Sequence, residues 1–305
     1  MVNDSSPLRK PKPLWLRKRL PDQPEFEEIR TLLKHSCLNT VCESAKCPNI
    51  WECFSKKTAT FLIMGNRCTR DCRFCAIEHG PVELPDPKEP AHVAEAVQKM
   101  GLEHAVITSV TRDDLADFGV SCFVKTIQEI RKRSQGIAVE VLIPDFCGDE
   151  KAIESLVAAE PDVIGHNIET VPGLYPIVRP QAKYRVSLAL LRQVSASGRT
   201  IFVKSGMMLG LGETRDEILR TIDDLLCSGC RILTLGQYLQ PTRNHIPVNR
   251  FIPPEEFHSW QEKAMAMGFR QVVSGPFVRS SYHAGNLFRT MKASEKPEVP
   301  VQGLG

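Results

Sequence analysis

Apolar residues recur along this chain in two alternating rhythms. Short runs of four to six, bounded by polar or glycine positions, predict buried strands over Thr60–Met64, Ala105–Thr108, Ala138–Ile143, Val163–Ile168, Ile201–Lys204 and Ile232–Leu235. Between them a helical spacing predicts helices over 91–100, 120–133, 150–159, 187–197 and 216–226. An earlier pattern of Phe26, Ile29, Leu32 and Leu33 predicts a helix over 25–35, ahead of a compact, loop-rich stretch at 37–53. Strands that each feed a crossover helix require a parallel sheet covered on both faces, so the fold class is α/β. Short strands with regular helices point to a barrel rather than a flat sheet, and six units are too few to close an eight-stranded one. In such barrels the chemistry gathers at the C-terminal ends of the strands. That rule brings together Cys68, Cys72 and Cys75 after the first strand, Thr108 and Ser109 after the second, and Asn167 and Glu169 after the fourth. Lys204 is expected to end the fifth, and Gln237 and Tyr238 follow the sixth.

Composition narrows the setting. At 305 residues and 42% apolar, the chain forms one large domain or a domain with extensions. A net charge of +3 is too mild to argue for nucleic acid. The charge is uneven, because Arg9, Lys10, Lys12, Arg17, Lys18 and Arg19 make the first twenty residues basic. This stretch reads as a solvated lead-in, or as an arm for an acidic carrier protein. There is no apolar leader and no run of eighteen apolar residues, so neither secretion nor a membrane is expected. Prolines at 7, 11, 13 and 21 argue against an amphipathic transit helix. Eleven cysteines in such a chain belong to a reducing cytoplasm and to thiolate chemistry rather than to disulfides.

Six of those cysteines fall in two triplets. Cys68-x3-Cys72-x2-Cys75 crowds three thiols into one loop, enough to hold three irons of a [4Fe–4S] cluster and leave the fourth iron open for chemistry. Zinc is the competing reading, but zinc sites favour two paired knuckles and no fourth partner is near. Cys42-x4-Cys47-x5-Cys53 lies just upstream and is also one ligand short, which suggests a second cluster. Cys227-x2-Cys230 reads as a pair on a helix face against the core, and His166 as a satisfied core histidine.

The first spacing, with Phe74 before its last cysteine, resembles the radical S-adenosylmethionine (SAM) superfamily. Both triplets together with Arg279-Ser280-Ser281-Tyr282-His283-Ala284 are similar to the lipoyl synthase family. Matching stretches run from about Leu38 to Ala284 and include Thr111-Arg112-Asp113-Asp114-Leu115, His166–Val171, Lys204–Gly210 and Gln237–Thr242. The resemblance implies a partial (β/α)6 barrel over 56–275, an N-terminal cluster-binding extension over 1–55 and a C-terminal extension over 276–305. It implies two [4Fe–4S] clusters and SAM. Cys68, Cys72 and Cys75 would hold the SAM-facing cluster. Cys42, Cys47, Cys53 and Ser281 would hold an auxiliary one, with Ser281 suited to leave because a serine oxygen is a weaker iron ligand than a thiolate. Phe74, Thr108, Ser109, Asn167, Glu169, Lys204, Gly206, Met208 and Gly210 become candidate SAM contacts. Arg179 and Arg279 could orient the substrate, or could be ordinary ion-paired arginines.

The implied activity is insertion of two sulfur atoms at C6 and C8 of a protein-bound octanoyl-lysine, using two SAM and sulfur from the auxiliary cluster. The implied partners are an octanoylated lipoyl carrier domain or glycine cleavage H-type protein, and a ferredoxin or flavodoxin as electron donor. Three rivals stay in view. A tRNA methylthiotransferase would be expected to carry a basic RNA-binding module, and none follows Phe288. Electron-transfer iron–sulfur proteins are usually smaller, with other cysteine spacings, and a zinc-stabilised binding module would be colourless and free of iron. One departure from the family pattern is Asp117-Phe118-Gly119, where a glycine is usual at 118. Phenylalanine there resists a positive φ.

Overall fold

The computed structural model describes residues 11–17, 24–55 and 58–294. Arg9, Lys10, Lys18 and Arg19 of the basic lead-in lie outside the described residues. In chain order the strands are β1 (Asn39–Thr40), β2 (Thr60–Ile63), β3 (Arg67–Cys68), β4 (Glu78–His79), β5 (His104–Ser109), β6 (Ala138–Leu142), β7 (Val163–Gly165), β8 (Phe202–Leu209), β9 (Ile232–Gln237) and β10 (Gln271–Gly275). The α-helices are α1 (Pro24–His35), α2 (Val41–Ser44), α3 (Ile50–Ser55), α4 (Glu89–Met100), α5 (Val120–Arg133), α6 (Glu150–Ala158), α7 (Tyr175–Val178), α8 (Tyr184–Ser195), α9 (Arg215–Cys227), α10 (Pro254–Met267) and α11 (Ala284–Ser294).

Eight strands form one sheet in the order β1-β2-β5-β6-β7-β8-β9-β10, and β3 pairs with β4 apart from it. Only the β1–β2 pair is antiparallel; the rest of the large sheet is parallel. The sheet is not closed, as the sequence pattern requires. All six predicted strands are present, and β10 is an addition. Its run Gln271-Val272-Val273-Ser274-Gly275 buries only Val272 fully, so it lacks the continuous apolar signature of a central strand. Its helix α10 buries Phe257, Trp260 and Ala264, a stripe at helical spacing that was legible and not predicted.

The strand interiors are apolar because helices cover the outside. Helix α5 buries Phe123, Ile127 and Ile130, and α4 buries Val93, Val97 and Met100. Helix ends are set locally. Gly101, at φ 62, closes α4, and Thr214 with Glu217 forms a capping box that opens α9. Cys227 is exposed and Cys230 fully buried, so that pair does not share one face.

Strand β8 is longer than predicted. Six of its residues pair with β9, from Lys204↔Ile232 to Leu209↔Gln237, so Lys204 lies near its start and not at its end. The departure at 118 is real in the backbone. Phe118 sits at φ 54 and Gly119 at φ 84, while the Asp117 carboxylate accepts from Gly119 N and Ser121 N, both at 3.0 Å. The left-handed residue is held by the start of α5.

After β10 the chain turns back across the barrel. Val278 lies against β9, where a Cβ on Gly236 would stand 2.2 Å from the Val278 carbonyl oxygen. Helix α11 then seats Phe288 under the sheet with Ala138, Val163 and Phe202. Gly236→Ala should therefore destabilise the fold by about 1–3 kcal/mol, the usual cost of forcing atoms into a packed contact. Chemical denaturation measures this directly, and a silent substitution would show that the crossing segment moves freely.

Candidate functional site

The sheet's direction puts the first cysteine loop at the mouth. Strand β2 ends in a turn with Met64 at φ 66, whose N–H is held by the buried Glu89 carboxylate at 2.7 Å. The loop that follows carries Cys68, Cys72 and Cys75. It is braced from outside by Arg73 N to Val178 O (3.0 Å), Ile246 N to Arg73 O (3.2 Å) and His245 Nε2 to Cys75 O (2.8 Å). Phe74 and Met208 both pack against a small apolar cluster of Val178, Leu211 and Tyr238. Burial pushes the Cys75 thiol up to about 12, helped by the charges of Cys72 and Cys68. Burial raises Cys72 as well, against the pull of Arg179.

Around this loop stand several polar atoms with nothing to bond. Ser109 Oγ, Asn167 Oδ1, Thr170 Oγ1 and Arg179 Nε are buried without a partner. Each such group costs on the order of 1–3 kcal/mol unless a ligand answers it. Asn167 Nδ2 donates to Glu169 (3.0 Å) and to Ser280 (3.0 Å). Glu169 is held at φ 66, and its backbone pairs with β8 through Gly206 O and Met208 N. Burial raises its carboxyl above the ordinary range, and Arg179 works against that rise. A half-buried carboxylate held at positive φ beside unpaired donors and acceptors is the signature of a ligand pocket.

The glycines have steric reasons. A Cβ on Gly206 would meet Thr234 Oγ1 at 2.6 Å and Asn167 Oδ1 at 2.8 Å. One on Gly210, at φ 100, would meet the Arg250 carbonyl at 2.3 Å and Gln237 Nε2 at 2.4 Å. Gly210 thus serves the loop's own geometry. Thr108 Oγ1 donates to Leu142 O at 2.7 Å, so it braces β5 to β6.

Lys204 requires a correction. Its ammonium lies 2.6 Å from the Glu140 carboxylate, which also takes His104 Nε2 at 3.1 Å. His104 opens β5, so this buried group lies toward the N-terminal ends of the strands, away from the mouth. Burial opposes the Glu140 charge, but Lys204 and His104 more than offset it and hold the carboxyl low. Lys204 is half of a structural ion pair, and β8 runs five residues past the end that its apolar run predicts, so Lys204 does not stand at the mouth. His166 is a core histidine, as expected. Nδ1–H donates to Ile143 O, and Nε2 accepts from Ser187 Oγ, each at 2.8 Å.

The second triplet closes a different wall. Cys42, Cys47 and Cys53 line one pocket with Asn49, Thr58, Thr60, Arg279, Ser281 and Tyr282. Ser281 reaches it from the far end of the chain, and Thr60 Oγ1 donates to Ser281 Oγ at 2.8 Å. Asn49 Nδ2 donates to Phe277 O (2.7 Å) and Tyr282 OH to Glu52 (3.1 Å), which anchors the segment on both sides of Ser281. Burial pushes Cys42 up to about 12, with Cys47 and Cys53 adding repulsion. Thr60, Asn49 and Glu52 carry no motif of their own; only the contact with the distant segment marks them.

Both pockets fit iron–sulfur clusters. Neutral thiols that repel one another's thiolate form need a strong positive charge to ionise them together. Among the described residues no three His, Cys, Asp or Glu side chains converge on a single-ion site. Ligands spread around a wall suit a group that offers each its own iron.

Residues 62–225 match the Radical SAM superfamily model. The fold agrees with solved structures. The complex of Streptococcus suis SuiB with its precursor peptide SuiA superposes with a TM-score of 0.56 at 10% identity, over 86% of this chain and 55% of that one. HydG, a maturase of the [FeFe]-hydrogenase, gives 0.52 at 15% identity, over 85% and 74%. The matched model, which covers more than half of the chain, and the fold define a radical SAM enzyme. The lipoyl synthase of Desulfotalea psychrophila is 56% identical over 289 residues, 95% of this chain and 97% of that one. The lipoyl synthase of Rubrobacter xylanophilus is 54% identical over 273 residues, 90% and 85%. The chain belongs to the lipoyl synthase family. It is a sulfur-inserting enzyme that works with [4Fe–4S] clusters and SAM on a lipoyl-carrier substrate.

Two predictions follow from this geometry. Replacing Cys42, Cys47 and Cys53 together by alanine should halve the iron bound after anaerobic reconstitution, while Ser281→Ala should leave more than the triple variant retains; iron and sulfide assays decide both. The second concerns His166, whose pKa is lowered from 6.5 to about 4, chiefly by burial. The unfolded chain takes up a proton on this residue below about 6.5, while the folded chain resists until about 4. Stability should therefore fall as pH drops through that window, by on the order of 3 kcal/mol for this group. His166→Asn should flatten that part of the urea-denaturation profile of the cluster-free protein.

Proposed function

We propose that two pockets divide the work of sulfur insertion, with the crossing segment 277–283 between them. The single observation that carries this reading is Ser281, which stands in one pocket with Cys42, Cys47 and Cys53, hydrogen-bonded to Thr60. In this reading Cys68, Cys72 and Cys75 hold the SAM-facing cluster, and Cys42, Cys47, Cys53 and Ser281 hold the auxiliary one. When bound, these groups supply the radical that takes hydrogen from an unactivated carbon, and the sulfur that replaces it.

The protein's own residues bind and exclude. Asn167, Glu169 and Ser109 present polar atoms to SAM. Phe74 and Met208 form the apolar wall beside it, and Gly206 keeps the floor clear. Burial raises the Glu169 carboxyl against the pull of Arg179, and a cation such as the SAM ammonium beside it would favour its charged form further. Thr108 and Gly210 support this pocket from behind through the contacts described above. Arg279 is half-buried and feels the charges of both Cys47 and Glu169, so in this reading a cation stands between the pockets. Ser281 is the ligand suited to let go, because its oxygen binds iron less firmly than a thiolate and Thr60 already offers it a hydrogen bond.

The same reading divides the chain into an auxiliary-cluster extension over 1–55, a barrel over 56–275 and a serine-bearing extension over 276–305. The octanoyl-lysine would come from a lipoyl carrier domain or a glycine cleavage H-type protein, and electrons from a ferredoxin or flavodoxin. No helix among the described residues is long and apolar enough to cross a membrane. None of the eleven cysteines forms a disulfide, which favours the cytoplasm, and neither nucleic acid nor membrane has a part in this reading.

The test is an anaerobic reaction with SAM and an octanoyl-lysine peptide, after reconstitution with isotopically heavy sulfide. Two heavy sulfurs in the peptide are expected, together with 5′-deoxyadenosine. Light sulfur from the medium would refute the auxiliary pocket as the source. Ser281→Cys should keep iron but lose most second-sulfur insertion; full activity in that variant would remove the need for a weak ligand.

A further inference from the structure

The run Thr111-Arg112-Asp113-Asp114-Leu115 has no part in the reading above, yet it is tied closely to the first cysteine loop. Thr69 N and Thr69 Oγ1 both donate to Thr111 O, at 3.1 and 3.0 Å, and Asp113 N donates back to Thr69 Oγ1 at 3.1 Å. Beside them Arg70 is 6% exposed and makes a double fork. Its Nε and Nη2 donate to Asp113 at 2.6 and 2.9 Å, and its Nη1 and Nη2 donate to Asp145 at 2.8 and 2.7 Å. Asp113 follows β5 and Asp145 follows β6, so one guanidinium locks the cysteine loop to two neighbouring barrel loops. Asp145 is itself fixed by Cys147 N at 3.0 Å, in a turn with Phe146 at φ 45 and Cys147 at φ 53. The Cys147 thiol completes the rim, 3.2 Å from Asp113 and 3.3 Å from Arg70 Nη2.

This clamp has a chemical output. Two backbone N–H groups that it fixes point at one sulfur: Arg70 N at 3.4 Å and Thr111 N at 3.3 Å from Cys68 Sγ. Hydrogen bonds to a ligand sulfur stabilise negative charge there. Such charge is greater in the reduced state of a cluster, so donors of this kind raise the reduction potential.

We propose that Arg70, held by Asp113 and Asp145, is a positioning residue that fixes the Arg70 and Thr111 amides on Cys68 and so tunes the cluster held by Cys68, Cys72 and Cys75. The proposal rests on the reading of those three cysteines as cluster ligands. Two other features lead less far. In the buried His104–Glu140–Lys204 group the carboxylate is paired with both neighbours and only His104 Nδ1 is left over, with no opening beside it that names a ligand, and the exposed Ile177 has nothing beside it that selects a partner.

The test uses the anaerobically reconstituted protein. Arg70→Lys keeps the charge and loses the double fork. Asp113→Asn, at a partly exposed position, keeps the shape and weakens one arm should the lysine variant not fold. Expected in both variants is unchanged iron content and faster amide exchange confined to 68–75 and 111–114. Expected also is a lower midpoint potential by electron paramagnetic resonance titration. About a tenfold loss in the reduction equilibrium, about 59 mV for one electron, is expected for Arg70→Lys, and a smaller loss for Asp113→Asn. Wild-type exchange and potential in both variants would overturn the proposal. So would loss of iron with no change in the potential of the cluster that remains, which is the mark of a purely structural brace. Wild-type protein that holds no iron on this triplet would instead sink the ligand reading, and the tuning role with it.

Discussion

An open parallel sheet cannot satisfy its free side by pairing with itself, and in this chain the segment 277–283 takes that place. It leaves β10, lies against Gly236 of β9, meets Asn167 after β7 through Ser280, and reaches Thr60 of β2 through Ser281. One short stretch thereby touches both halves of the barrel. Both pockets depend on its course. If it were displaced, the pocket of Cys42, Cys47 and Cys53 would lose Ser281, and Asn167 beside the other cysteine loop would lose its bond to Ser280. The close approach is possible because residue 236 has no Cβ, and it is kept by anchors on either side of Ser281, from Asn49 to Phe277 and from Tyr282 to Glu52.

A second constraint is electrostatic. Six thiols sit in two partly buried sets, and burial together with mutual repulsion raises those for which a shift is resolved. Such sets are at odds with a folded protein until a polycationic group satisfies them, so binding energy is committed in advance to the clusters. The protein pays in small strains around the sites. Met64, Glu169 and Cys147 all hold positive φ, each in a loop that follows a strand of the barrel. Several other buried charges have their partners inside the protein. Arg70 has two carboxylates, Glu140 has Lys204 and His104, and His166 spends both ring nitrogens on neutral partners.

Much of the site was legible because ligands in one loop must be close in sequence. Cys68, Cys72 and Cys75 needed only their spacing, and the same held for Cys42, Cys47 and Cys53. The rule that strand ends carry the chemistry brings Asn167 and Glu169 together, and the structure sets them 3.0 Å apart. That rule failed at Lys204, because an apolar run does not show where a strand stops. Strand β8 continues through Ser205, Gly206 and Met207, residues that a pattern of hydrophobicity reads as a loop. Strand β10 escaped for a related reason: an edge strand is half exposed and looks like any polar stretch. Arg70 also passed unnoticed, since a charged residue between two ligands gives no sign that it is buried.

By itself the sequence determined the class of fold, the two sets of thiols and the family resemblance. Periodicity and spacing are local, and they survive any arrangement of the chain in space. Only the tertiary structure decided which distant residues meet. It set Ser281 against Thr60, 221 positions away, aimed two amides at Cys68, and turned Lys204 away from the mouth toward Glu140. These are contacts between elements, set by the register of the sheet and the path of the crossing segment, and no stretch of sequence contains them.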